Sequence, residues 1–179
     1  MNVIEYIEAK PDYFKVFDET FDIVINSLHF MDRVGEGGSD FMYVEKTNVN
    51  NQIEAIMSLI VQDFVRFGEY AFNKESRKEI YQIVSIYLKE HYSETEFTTF
   101  KGSPSLNDLK QRHQNGSNFR RIHKNYDWNN EIELSEILNL KFFNEKVLVQ
   151  YQLLTKWNDE DYLYETENYY VRFNWATGA

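Results

Sequence analysis

From Val147 to Trp175 the chain alternates in the way a pleated strand does, and that alternation limits the fold more than any other feature of the sequence. Val147, Val149, Tyr151, Leu153 and Trp157 fall on one side, and Gln150, Gln152 and Lys156 fall on the other with Leu148 and Leu154. Successive side chains of a strand point to opposite faces, so this pattern predicts one buried and one wetter face. Asn158-Asp159-Glu160-Asp161 interrupts it with charged, turn-prone residues. The chain then resumes from Tyr162 to Trp175, where Tyr169, Val171, Phe173 and Trp175 share a face and Arg172 and Asn174 share the other. β-branched and aromatic residues of this kind suit a half-buried pleated surface. Upstream, Leu138 to Phe143 leads through Asn144-Glu145 straight into Val147, a short connection that predicts a hairpin. The expectation is a three-stranded C-terminal meander whose aromatic face needs a cover of helices.

The first two thirds of the chain supply that cover. Phe14, Phe17, Phe21, Val24, Leu28 and Met31 recur at steps of three and four, which predicts an amphipathic helix ended by Gly35, Gly37 and Gly38. Met1 to Ala9 predicts a short helix before it. Phe41 to Val44 reads as a short edge strand. Asn48, Asn50 and Asn51 offer caps for a second helix carrying Ile53, Met57, Ile60, Phe64 and Phe67. A third helix is predicted from about Ser76 to His91 and a fourth, shorter one after Gly102-Ser103-Pro104, ending near Gly116. Phe119 to Trp128 has no clear period, and Glu131 to Leu138 reads as a helical turn or the approach to the first strand. The fold expected is α+β: three or more helices packed on one face of a curved antiparallel sheet, with the meander last and a cone-shaped helix-on-sheet arrangement. At 179 residues, with no linker rich in Gly, Ser or Pro, residues 1–179 are expected to form a single domain.

Composition removes several classes. The chain has no cysteine, so disulfides are excluded and a cytoplasmic setting is expected. Met1 to Lys10 lacks the apolar core of a secretory signal, and no apolar run approaches the ~20 residues of a membrane span. No membrane association is expected. Net charge is −10, which opposes general binding to nucleic-acid backbones and suits a basic partner.

Catalytic signatures are absent from the residues. His29, His91, His113 and His123 are the histidines, and none is placed four residues from another on a predicted helix. With no cysteine to complete a set, no metal and no other cofactor is expected. His113 and His123 flank Gly116, a spacing that fits two exposed loop histidines better than a joint site. No G-x-S-x-G is present, and Ser103 is explained as a helix cap. Gly35-Glu36-Gly37-Gly38 lacks the Gly-Lys-Ser ending of a phosphate loop. Glu165 and Glu167 stand two residues apart, roughly 7 Å along a strand. Such spacing serves acid–base work in a pocket, but the same pattern makes an ordinary solvated strand face.

Two charged stretches remain as candidate surfaces. One holds Lys110, Arg112, Arg120, Arg121 and Lys124, followed by Tyr126 and Trp128. Arg112, Arg120, Arg121 and Lys124 are its candidate anion-binding residues, since basic groups with aromatics beside them grip phosphate or stacked bases. The overall acid excess sets this reading behind a plain exposed surface. The other stretch is Asp159, Glu160, Asp161, Tyr162, Tyr164 and Glu165, with no basic residue from Asn158 to Tyr170. Acids interleaved with tyrosine suit a basic protein partner: charge steers encounter and tyrosine supplies contact area. The leading expectation is therefore a non-catalytic acidic protein-binding protein, such as an immunity or antitoxin-like inhibitor of a basic protein. The alternative is a small-molecule-binding protein or enzyme with a pocket between sheet and helices.

Overall fold

The computed structural model describes residues 26–32, 37–52, 54–56, 58–59, 104–115, 119–124, 127–156 and 158–177. Its framework is a seven-stranded sheet. The strands are β1 (Asn26–Asp32), β2 (Gly37–Glu45), β3 (Phe119–Lys124), β4 (Asp127–Glu131), β5 (Val147–Lys156), β6 (Asp159–Thr166) and β7 (Tyr169–Thr177). They lie in the order β4-β3-β1-β2-β7-β6-β5, and every neighbouring pair is antiparallel. Helix α1 spans Leu106–Gln114 and the short helix α2 spans Leu134–Leu138. Single 3₁₀ turns occur at Lys46–Asn48 and Lys141–Asn144. Residues 52, 54–56 and 58–59 are helical as well.

This overturns the expectation of three or more helices packed on one face of a curved sheet. Among the described residues the molecule is mostly antiparallel sheet, and α1 is the one helix of seven or more residues with both ends described. The helix predicted to run to Met31 instead gives way to β1. Leu28 and Met31 fit a helical stripe, but Leu28 and Phe30 alternate with Ser27 and His29, and the alternation prevails. Residues 14–25 of that prediction lie outside the described residues, as do Met1 to Ala9 and the third helix from Ser76. Phe41 to Val44 belongs to the nine-residue β2, which is the fourth strand across the sheet and not an edge. Leu138 to Phe143 is the end of α2 and a 3₁₀ turn, so the predicted first strand of the meander does not exist. The predicted long strand Tyr162 to Trp175 is two strands, broken at Glu167-Asn168.

That break is built from side chains. The Glu145 carboxylate accepts from Thr166 Oγ1 at 2.7 Å, from the Asn168 backbone N–H at 3.0 Å and from Asn168 Nδ2 at 2.9 Å. Thr166 Oγ1 in turn accepts from the Tyr169 N–H at 3.0 Å. Partial burial works against the Glu145 charge, but the bonds from Asn168 and Thr166 outweigh it and hold its pKa below the usual value.

Register divides the residues between the two faces. One face carries Leu28, Phe30, Phe41, Tyr162, Tyr164, Val171 and Phe173, all buried. It is covered by Leu106 and Leu109 of α1, Ile137 of α2, and Phe142 and Phe143 of the 3₁₀ turn. Aromatic rings there meet edge to face, with Phe41 at 5.3 Å from Phe143 and 5.7 Å from Phe30. Ser105 starts α1: its hydroxyl accepts from the Asp108 N–H at 3.1 Å and the Asp108 carboxylate accepts from the Ser105 N–H at 2.8 Å. This reciprocal cap lies two residues beyond Ser103, the predicted cap. α2 matches the helical turn expected within Glu131 to Leu138.

The opposite face is polar yet buried. It holds His29, Asp40, Asp161 and Arg172 beside Met42, Val44 and Leu163. His29 Nδ1 lies 2.5 Å from Asp40 Oδ1 across the β1–β2 pair. A Cβ added to Gly38 would come within 2.9 Å of the His29 ring, so a bare backbone there lets the ring lie over β2. Asn51 Oδ1 accepts from the Glu54 N–H at 3.0 Å, so of Asn48, Asn50 and Asn51 it is Asn51 that caps the second helix. Gln52 then donates to Tyr151 Oη at 2.8 Å and to Glu165 at 3.2 Å, which docks this helix start on the polar face. No helix among the described residues is long and apolar enough to cross a membrane.

Candidate functional site

A cleft of about 290 Å³ opens on the apolar face, between the β3–β1–β2 part of the sheet and α2. Its apolar lining comes from Leu28, Ile132, Ile137 and Leu140. Its polar lining comes from Tyr43, Lys124, Asn130 and Glu136. The sheet sets the positions of the first group of contacts. Lys124 stands directly across from Leu28 in the β1–β3 register, and Tyr43 is two residues along β2 from Phe41, which faces Leu28. Leu28 thus separates a lysine from a tyrosine on one floor. The chain leaves β4 at Glu131, is held by the Ile132 N–H donating to Ile122 O at 3.3 Å, and enters α2. One turn of α2 then points Ile137 into the core and keeps Glu136 exposed at the rim.

The polar groups of the cleft are available. Lys124, Asn130 and Glu136 are exposed, and their side chains make no hydrogen bond or ion pair among the described residues. Tyr43 is half-buried between Phe142 at 5.0 Å and Tyr169 at 6.1 Å. Its burial, reinforced by Tyr169 and Glu45, pushes its pKa up to about 12, so its hydroxyl stays a neutral donor and acceptor. An apolar floor with a few convergent polar groups is the usual make-up of a small-molecule site, and the volume is at the low end of the ~300–1,000 Å³ range.

The six acidic and tyrosine candidates do not form one surface. All six lie on β6, where successive residues alternate between the faces, so they divide between the two sides. Tyr162 and Tyr164 point into the apolar core and are buried, and Tyr164 donates to Pro104 O at 2.8 Å. Glu160 lies on the same side, half-buried, 3.6 Å from Arg112 of α1. Asp161 points the other way, 1% exposed, with its carboxylate against Arg172. Asp159 accepts from Asn174 Nδ2 at 3.1 Å, and Glu165 pairs with Lys46 at 2.6 Å. The predicted projecting turn Asn158 to Asp161 is thus mostly strand. Glu167 sits in the next turn and does not share a strand face with Glu165.

The anion-binding candidates are divided too. Arg112 is on α1, while Arg121 and Lys124 are exposed on opposite faces of β3. Arg120 is on β3 beside them. Lys110, half-buried, donates to Asn144 at 3.2 Å. The two histidines expected on an exposed loop are both 1% exposed. His113 packs in the apolar core at 4.5 Å from Phe30, and His123 stands across from His29 on the polar face. They are on opposite sides of the sheet. Among the described residues no cluster of three or more His, Cys, Asp or Glu is placed to hold a metal ion.

Of the cleft residues, sequence reasoning had singled out Lys124, and for a different partner. Tyr43, Asn130 and Glu136 carried no local signal: Tyr43 meets Lys124 through the β1–β2 and β1–β3 registers, Asn130 comes from β4 beside β3, and Glu136 comes from α2. Comparison with protein-family models, with curated proteins and with solved structures returns no match.

Proposed function

We propose that this protein binds a small organic molecule in the cleft between β1–β3 and α2. The observation that carries the reading is the coincidence of an apolar floor with Lys124, Asn130, Glu136 and Tyr43, whose polar groups have no partner among the described residues. Lys124, Asn130 and Glu136 face water, and with Tyr43 they line one space. Taking a water's share of volume as ~30 Å³, the cleft holds roughly ten waters that a ligand of similar bulk would displace.

Filling the cleft tests this. A small-molecule collection is screened by thermal shift against the wild type and Ile132→Trp. Compounds that stabilise the wild type and lose the effect in Ile132→Trp, with the unliganded unfolding midpoint within a few degrees of wild type, are the expected result. Compounds that stabilise both equally would place binding elsewhere.

A second reading, an acidic protein that inhibits a basic partner, keeps the support of the −10 net charge and of half-exposed Asp159 and Glu160. Its tyrosine component has lost its support, because Tyr162 and Tyr164 lie in the core.

A further inference from the structure

The polarity of the cleft selects one chemical class of ligand, an inference that rests on the cleft being a binding site. Lys124 projects from the sheet and Glu136 from α2, so the two walls carry opposite charges. Both line one cleft, and neither pairs with the other or with any described residue. Leu28 and Ile137, both buried, line the same cleft. We infer that the occupant is a small zwitterion with an apolar body, the chemistry of a free amino acid: its carboxylate at Lys124, its ammonium at Glu136 and its side chain over Leu28 and Ile137.

The rival classes each meet an opposing group. A simple anion meets Glu136 and approaches a molecule of net charge −10, which repels it from a distance. A simple cation meets Lys124. A neutral apolar molecule displaces water from both charges and returns nothing to them. A zwitterion has no net charge for the long-range field to act on, and it satisfies both walls. The Asn130 amide and the Tyr43 hydroxyl, each both donor and acceptor, can serve either end. Because both charged groups are exposed, each contact is screened, and about a tenfold effect per charge is the scale to expect.

Calorimetric titration of the intact protein with L-leucine, 4-methylpentanoate and 3-methylbutylamine reads this directly. Leucine is expected to bind, and each one-charge analogue to bind about tenfold more weakly. Lys124→Met and Glu136→Gln are each expected to weaken leucine about tenfold. Lys124→Met should leave the affinity for the amine no weaker, and Glu136→Gln should leave the affinity for the acid no weaker. Analogues that bind as well as leucine, or a leucine affinity that ignores both substitutions, overturn the assignment. Leucine failing to bind while other compounds bind in a manner sensitive to Ile132→Trp defeats the ligand class and leaves the cleft reading standing. No compound binding defeats both.

Discussion

Arg172 lies on β7 with its Nε and Nη2 donating to the Asp161 carboxylate of β6 at 2.8–3.2 Å, and the pair is only 1–2% exposed. Desolvating two charges cancels much of their attraction, so the pair is weak as a source of net stability and strong as a constraint. Removing one partner leaves the other charge buried. Arg172→Met is therefore expected to cost about 3–5 kcal/mol in urea unfolding, and Arg172→Met with Asp161→Leu to recover much of it. His113 is the second informative residue. Its Nδ1–H donates to Leu109 O at 2.7 Å, and its ring packs against Phe30, Phe41 and Phe173. Burial lowers its pKa from 6.5 to about 4. The folded chain thus resists protonation that the unfolded chain accepts. The stabilisation is full above pH 6.5 and is lost as pH falls through about 4. Between pH 7 and 4 the wild type should lose on the order of 3 kcal/mol more stability than His113→Phe. Equal losses would mean that the imidazole is not held neutral by its surroundings.

Among the elements, β5 and β7 were legible in the sequence, since one face of each is regularly apolar. The helical turn at α2 and the Asn51 cap were each one of the alternatives that the sequence left open. Strands β1, β2 and β6 were not legible, and all three for one reason. His29, Asp40 and Asp161 are polar residues that the sheet buries beside partners 11 residues away in the chain. Pattern reading takes a polar residue as exposed, so Asp159-Glu160-Asp161 passed for a turn and β2 for a short edge. β3 and β4 were missed because their residues, rich in Arg, Asn and Asp, have low strand preference and owe their conformation to pairing with β1. Helix α1 illustrates a locally encoded element, with its start fixed by the Ser105–Asp108 cap. Ser105→Ala should lower the unfolding free energy by about 1 kcal/mol, measured by denaturant titration. An unchanged midpoint would mean that tertiary packing alone sets the start of α1.

For the molecule as a whole, the sheet with two unlike buried faces determines where function can lie. β6 carries its acids and tyrosines to opposite sides, so the acidic stretch read from the sequence is not a single surface. The cleft assembles residues from β1, β2, β3, β4, α2 and the segments on either side of α2, spread from Leu28 to Leu140. The stretch from Asn130 to Leu140 supplies one wall, and the strand order brings Leu28, Tyr43 and Lys124 to it. The most direct measurement is a methyl-resolved NMR titration of the intact protein with the tightest compound from the thermal-shift screen. Saturable shifts are predicted at the methyls of Leu28, Ile132, Ile137 and Leu140, with Leu163 and Met42 on the opposite face unmoved. Shifts centred on Leu163 and Met42, or no saturable shift at the cleft methyls, would contradict the account.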